Sequence, residues 1–156
     1  MQPSLDPYQE IIQTAIGREI EARALYLDLA SRVEDDQARE LLQELAAQEE
    51  GHRRRLEALL AGSVNPELLA RQTKRVEDLR ITDFLQETPL GESSDVQHVL
   101  IVAGKREAGS YDLYSALASI AEDRETEALF RYLAGQELEH KHRIERLYED
   151  LYYTQV

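Results

Sequence analysis

Four stretches of this chain repeat apolar residues at steps of three and four, and each apolar stripe is interrupted near its middle by a glutamate. The 3,4 step is the mark of an amphipathic helix. The stretches span about 6–33, 35–62, 95–121 and 123–151. The first stripe reads Ile12, Ala15, Glu19, Ala22, Tyr26, Leu29, Val33, and the second Leu42, Leu45, Glu49, His52, Leu56, Leu59. The third reads Leu100, Ala103, Glu107, Ser110, Tyr114, Leu117, Ala121, and the fourth Phe130, Leu133, Glu137, His140, Ile144, Leu147, Leu151. Alternating strand-like runs are missing, and glycine (7) and proline (4) are scarce. A helix buries such a stripe only against other helices, so the expected fold is an all-α four-helix bundle within one domain, 1–156.

The connections set the topology. The first two stretches meet around Glu34-Asp35 and the last two near Glu122-Asp123, and connections that short make antiparallel neighbours. Two helical hairpins are therefore joined by a long crossover, 63–94, punctuated by Gly62, Pro66, Pro89 and Gly91. A helix of ~27 residues is roughly 40 Å long, a distance that a segment of this length can cross. Within the crossover a short helix is expected from Asn65-Pro66, and another at Ile81–Leu85. Asp6-Pro7 reads as an N-cap followed by proline at the first helical position, and Ser94 with Gln97 has capping-box spacing. A shift of 88 positions maps Ala15, Glu19 and Tyr26 onto Ala103, Glu107 and Tyr114, and Leu45, Gln48, Glu49 and His52 onto Leu133, Gln136, Glu137 and His140. The hairpins are two copies of one design.

Carboxylates at the centre of a core need compensation. A buried carboxylate without a partner costs roughly several kcal/mol, and four together also repel one another. No lysine or arginine stands on any stripe. Two divalent cations with neutral histidines would bring the charge to zero. In each hairpin the glutamate and the Glu-x-x-His pair lie about equally far from the turn, roughly 23 Å along the helix, and the i and i+3 positions share a face. Glu19, Glu49, His52, Glu107, Glu137 and His140 can thus converge on one metal site.

Two glutamate helices combined with two Glu-x-x-His helices resemble the di-iron or di-manganese carboxylate pattern of ferritin-like proteins. The run Glu19-Ile20-Glu21-Ala22-Arg23-Ala24-Leu25-Tyr26, repeated in Glu107 and Tyr114, is similar to the first-helix motif of the rubrerythrin-like branch. The resemblance covers the four long helices and not 63–94. It implies a ferritin-like bundle and a non-haem di-iron oxidoreductase that reduces O2 or hydrogen peroxide while Fe(II) is oxidised. Manganese or zinc would suit the same donors. Glu49 and Glu137 are the expected bridging carboxylates, with Glu19 and Glu107 terminal. Rubrerythrins usually append a rubredoxin domain; cysteine is absent here, so no iron–sulfur cluster is expected and electrons would come from an external donor. Peroxidase-type members carry a further glutamate three residues after the third-helix ligand, where this chain has Ser110. The chain stops soon after the fourth helix, so a ferritin storage cage is not expected, and Met1 as the sole methionine argues against a methionine-ligated haem.

Tyr26 and Tyr114 each lie two turns from a candidate glutamate on the same stripe, and a buried phenol in that position is expected to bond and orient a metal carboxylate. Glu139 and His142 form a second Glu-x-x-His, about 200° around the helix from the first, and read as surface. His98 reads as structural or exposed, and Tyr148, Tyr152 and Tyr153 as a dimer patch or helix-end packing. A homodimer is expected. The net charge of -13 argues against nucleic acid and anionic membranes as partners. There is no apolar run long enough for a membrane span and no signal-peptide pattern, so the expected compartment is cytoplasmic. Two other readings of the same residues are a bundle that metal merely staples and a di-manganese catalase-like site.

Overall fold

The computed structural model describes residues 5–62, 65–90 and 95–153. Five α-helices follow in order: α1 (Pro7–Arg32), α2 (Asp36–Gly62), α3 (Pro66–Asp78), α4 (Val96–Ile120) and α5 (Arg124–Tyr152), with a 3-10 turn at Ile81–Leu85. All four long helices lie where the periodicity puts them, and both short crossover elements lie where they were expected. Polar side chains start the helices by meeting amide groups that have no partner within the helix. Asp6 caps α1 in a capping box, accepting from Gln9 N–H at 2.9 Å while Gln9 Oε1 accepts from Asp6 N–H at 3.3 Å. Asn65 caps α3 and Asp123 caps α5. Ser94 and Gly91 lie outside the described residues, and the cap described for α4 is Asp95, which accepts from His98 N–H at 2.7 Å.

α1 packs chiefly on α2 and α4 on α5, giving two antiparallel hairpins; the α1–α4 and α2–α5 contacts between hairpins are lighter. The apolar core is divided in two. One cluster holds Ile12, Leu56, Leu117, Phe130 and Leu133 at the end where α1 and α5 begin, joined by Val76 and Ile81 from the crossover. The other holds Leu29, Leu42, Leu45, Leu100 and Ile144 at the opposite end. The layer between them contains the buried glutamates and histidines.

Past α3 the crossover runs along the α1–α4 face, where three side-chain-to-carbonyl bonds tie it down. Arg18 Nη1 donates to Phe84 O at 3.1 Å, Arg106 Nε to Thr88 O at 3.0 Å, and His98 Nε2 to Leu90 O at 2.5 Å. His98 is thereby structural. No helix among the described residues is long and apolar enough to cross a membrane.

Because the two clusters sit on opposite sides of a polar layer, their losses should be independent. In metal-free protein, Leu45→Ala should lower unfolding free energy by ~2–5 kcal/mol and Phe130→Ala by ~3–5 kcal/mol. In urea denaturation the double variant should match their sum within ~0.5 kcal/mol; a larger departure would mean that the clusters behave as one core.

Candidate metal centre

The structure brings Glu19, Glu49, His52, Glu107, Glu137 and His140 together in one buried cluster, with Glu49 exposed to 1% and His140 to 0%. They form two overlapping groups. The donor atoms of Glu19, Glu49, His52 and Glu137 lie within 4.8 Å of one another, as do those of Glu49, Glu107, Glu137 and His140. Glu49 and Glu137 belong to both groups. His52 Nδ1 is 2.8 Å from Glu137 Oε1 and 3.5 Å from Glu19 Oε2. His140 Nδ1 is 2.7 Å from Glu49 Oε1 and 3.6 Å from Glu107 Oε1. The two imidazoles stack with centroids 5.6 Å apart.

These short approaches are not hydrogen bonds. Glu19 Oε2, Glu49 Oε1, Glu107 Oε2, Glu137 Oε1 and the Nδ1 atoms of His52 and His140 are all buried without a hydrogen-bond partner. Leaving so many polar atoms unsatisfied is costly, and buried charges are normally paired or bound to metal. Carboxylate oxygens and imidazole nitrogens converging in this way make a donor set for divalent cations. The residues fit such ions.

Side chains around the cluster aim it. Tyr114 OH donates to Glu19 Oε1 at 2.6 Å, and Tyr26 OH donates to Glu107 Oε1. Each tyrosine thus holds one oxygen of a glutamate and leaves the other buried without a hydrogen-bond partner. The partner is the glutamate of the opposite hairpin rather than the one on the tyrosine's own stripe. Helical side chains lean toward the N-terminus, so on antiparallel α1 and α4 each ring folds back toward the polar layer and reaches across it. Gln48, given no role by the sequence, accepts from His140 Nε2–H at 2.6 Å. That bond selects the tautomer with a lone pair on Nδ1, as metal-binding histidines require. Its repeat mate Gln136 makes no such bond to His52, whose Nε2 is unpartnered and whose ring meets Tyr132 edge-on at 6.2 Å.

The electrostatics call for positive charge. Burial pushes the Glu49 carboxyl up to about 8, and the Glu19 and Glu107 charges add to the rise. Burial, then Glu107, Glu19 and Glu49, raises Glu137 well above the usual range. Glu19 is lowered: burial pushes it up, and His52, Glu49 and Tyr114 together outweigh burial. Burial pulls both histidines down, but Glu19 and Glu49 raise His52 to about 10, and Glu107 and Glu49 raise His140 to about 9. Protons gather where cations would sit.

Other candidates fall outside. Glu139 and His142 are exposed on α5. The Tyr148 ring meets those of Tyr152 and Tyr153 at a tilt at the end of that helix, at centroid distances of 5.1 and 5.7 Å. The sequence reading also missed Arg18, which is only 7% exposed beside Glu19. The 88-residue shift pairs it with Arg106, a signal that was present in the sequence.

The family model described as Rubrerythrin matches residues 10–96 and 98–156. No curated protein and no solved structure matches the chain. With that match taking in all four long helices and every residue of the buried cluster, the chain belongs to the rubrerythrin family.

Proposed function

We propose that the bundle core binds two iron ions and that the protein is a non-haem di-iron oxidoreductase, reducing O2 or hydrogen peroxide as Fe(II) is oxidised. The observation that carries this reading is the pair of overlapping donor groups sharing Glu49 and Glu137. Glu19 and His52 would hold one ion and Glu107 and His140 the other, with Glu49 and Glu137 within reach of both. Oxygen and imidazole donors also suit manganese and zinc; family membership favours iron. Paired irons supply two electrons at one place, which suits a two-electron reduction.

The chain's own part is preparation. Tyr114 and Tyr26 orient the terminal carboxylates, Gln48 fixes the His140 ring, and the apolar clusters on either side keep bulk water out. No iron–thiolate centre exists within this cysteine-free sequence, so the proposal includes an external electron donor.

Protein loaded with Fe(II) should hold about two irons per chain and oxidise them in stopped flow faster than free Fe(II). Near-ultraviolet iron absorption should follow, with both metal and absorption lost in Glu49→Ala and Glu137→Ala. Tight binding with no acceleration would leave a metal that only braces the fold and would overturn the redox reading.

Gln48→Ala should weaken zinc or iron binding by roughly 10–100-fold, measured by competition with a chromophoric chelator. An unchanged affinity would remove Gln48 from the site.

The pH dependence has a definite sign. With Glu49 raised to about 8, His140 to about 9 and His52 to about 10, the folded metal-free protein binds more protons than the unfolded chain. Its stability must then fall as pH rises through those values. Metal displaces the protons, so the thermal midpoint should drop from neutral to alkaline pH in chelator-treated protein and stay nearly level in metal-loaded protein. Parallel profiles would count against the cluster as the metal site.

A further inference from the structure

The crossover delivers one more carboxyl to this region. Glu87 stands on the α1–α4 face, its Oε1 3.3 Å from Arg18 Nε, on a segment pinned by Arg18 at Phe84 O and by Arg106 at Thr88 O. Arg18 and Arg106 are repeat mates, and each immediately precedes a candidate ligand, Glu19 or Glu107. A cavity of ≈ 10 Å³ lies against Glu87 and Ser110 and equally against Glu19, Glu49, Glu107 and Glu137. That is room for about one water molecule.

Few groups there can pass a proton. The guanidinium groups stay charged, and the Tyr26 hydroxyl is committed to Glu107. Ser110 can both give and accept through a rotating hydroxyl. The Glu87 side chain keeps 21% exposure, so it meets solvent as well as the cavity. We infer that Glu87 is the proton relay of the metal centre, exchanging protons between solvent and the site through one water in this cavity, with Ser110 as the hydroxyl beside the path. This rests on the two-metal reading above.

The balance is simple. Reducing one hydrogen peroxide to two waters breaks the O–O bond, takes two electrons from two Fe(II), which become Fe(III), and takes two protons. Each proton leaves the Glu87 carboxyl through the water, and Glu87 is recharged from solvent. Metal loading uses the same path outward, since binding at carboxylates and imidazoles displaces protons. The charged groups facing Glu87 are Arg18 and Glu21 on α1 and Arg106 on α4; burial raises its carboxyl, Arg106 and Arg18 oppose the rise, and Glu21 adds to it. The net rise keeps a proton available closer to neutral pH than on an open glutamate.

The test uses the full chain and Glu87→Gln, which keeps shape and polarity without a titratable proton. Zinc, which is redox-silent, is mixed with metal-free protein in weak buffer containing a pH indicator. In the parent, proton release should keep pace with zinc binding; in Glu87→Gln it should lag by ~10-fold or more, with zinc stoichiometry and the loaded thermal midpoint unchanged. Ser110→Ala, which leaves the pinned segment alone, should lag in the same direction, and Glu87→Asp should recover part of the rate. Peroxide-driven Fe(II) oxidation should slow in step. Proton release that keeps pace with zinc in both Glu87→Gln and Ser110→Ala would overturn the relay, as would a Glu87→Gln variant that only melts earlier or loses zinc. If the parent oxidises Fe(II) no faster than free iron while the zinc-linked lag remains, the redox function fails and the relay stands.

Discussion

Four carboxylates in the middle of a helical core are the constraint on which the rest of this structure turns. Two unit charges ~4 Å apart interact by ~4 kcal/mol even at an effective dielectric of ~20, and desolvation adds to that cost for every carboxylate. The surroundings answer both problems. Tyrosine hydroxyls take one oxygen of Glu19 and one of Glu107, the histidines lie against Glu49 and Glu137, and the remaining oxygens face one another. Six atoms of this kind without hydrogen bonds are a large debt for a domain whose net stability is on the order of 10 kcal/mol. Cations at the centre would turn that debt into cross-links between all four long helices.

The two-fold design is close but incomplete. The crossed tyrosine–glutamate bonds join α1 to α4, where packing between the hairpins is light, so polar contacts hold together what apolar contacts there hold only weakly. The histidines differ more. His140 is fixed by Gln48, whereas His52 has no such bond on Nε2 and meets Tyr132 edge-on, a ring that in turn lies under Arg55 at 4.8 Å. The equivalent metal positions therefore have unequal support: one imidazole is oriented by a hydrogen bond and the other by packing.

The elements that were legible in the sequence share a cause. Glu19, Tyr26, Glu49 and His52 lie on stripes whose period is the helix's own, so spacing alone placed them on one face, and the hairpin turns placed them at one height. The tyrosines' partners were not legible, because same-stripe spacing cannot show that the rings cross to the other hairpin. Gln48 sits one position before a ligand and off the stripe, and its role depends on how near α2 and α5 come to each other. Arg18 looks like an ordinary surface cation until the crossover covers it. Glu87 belongs to a segment with no periodicity at all, and its path along the α1–α4 face is set by three side-chain-to-carbonyl bonds that no local pattern encodes.

The division of the donors between hairpins carries a historical consequence. Each hairpin packs mainly within itself and contributes one glutamate helix and one Glu-x-x-His helix, half of the donor set. A polypeptide of about half this length, pairing with its own twin about a symmetry axis, would assemble the whole constellation before any duplication joined the halves. On that descent the crossover would be the joint made by fusion. Fusion also frees the halves to diverge, since a change in one is no longer copied in the other. The unequal surroundings of Arg18 and Arg106, and of His52 and His140, are the kind of specialisation that an ancestral homodimer could not have evolved.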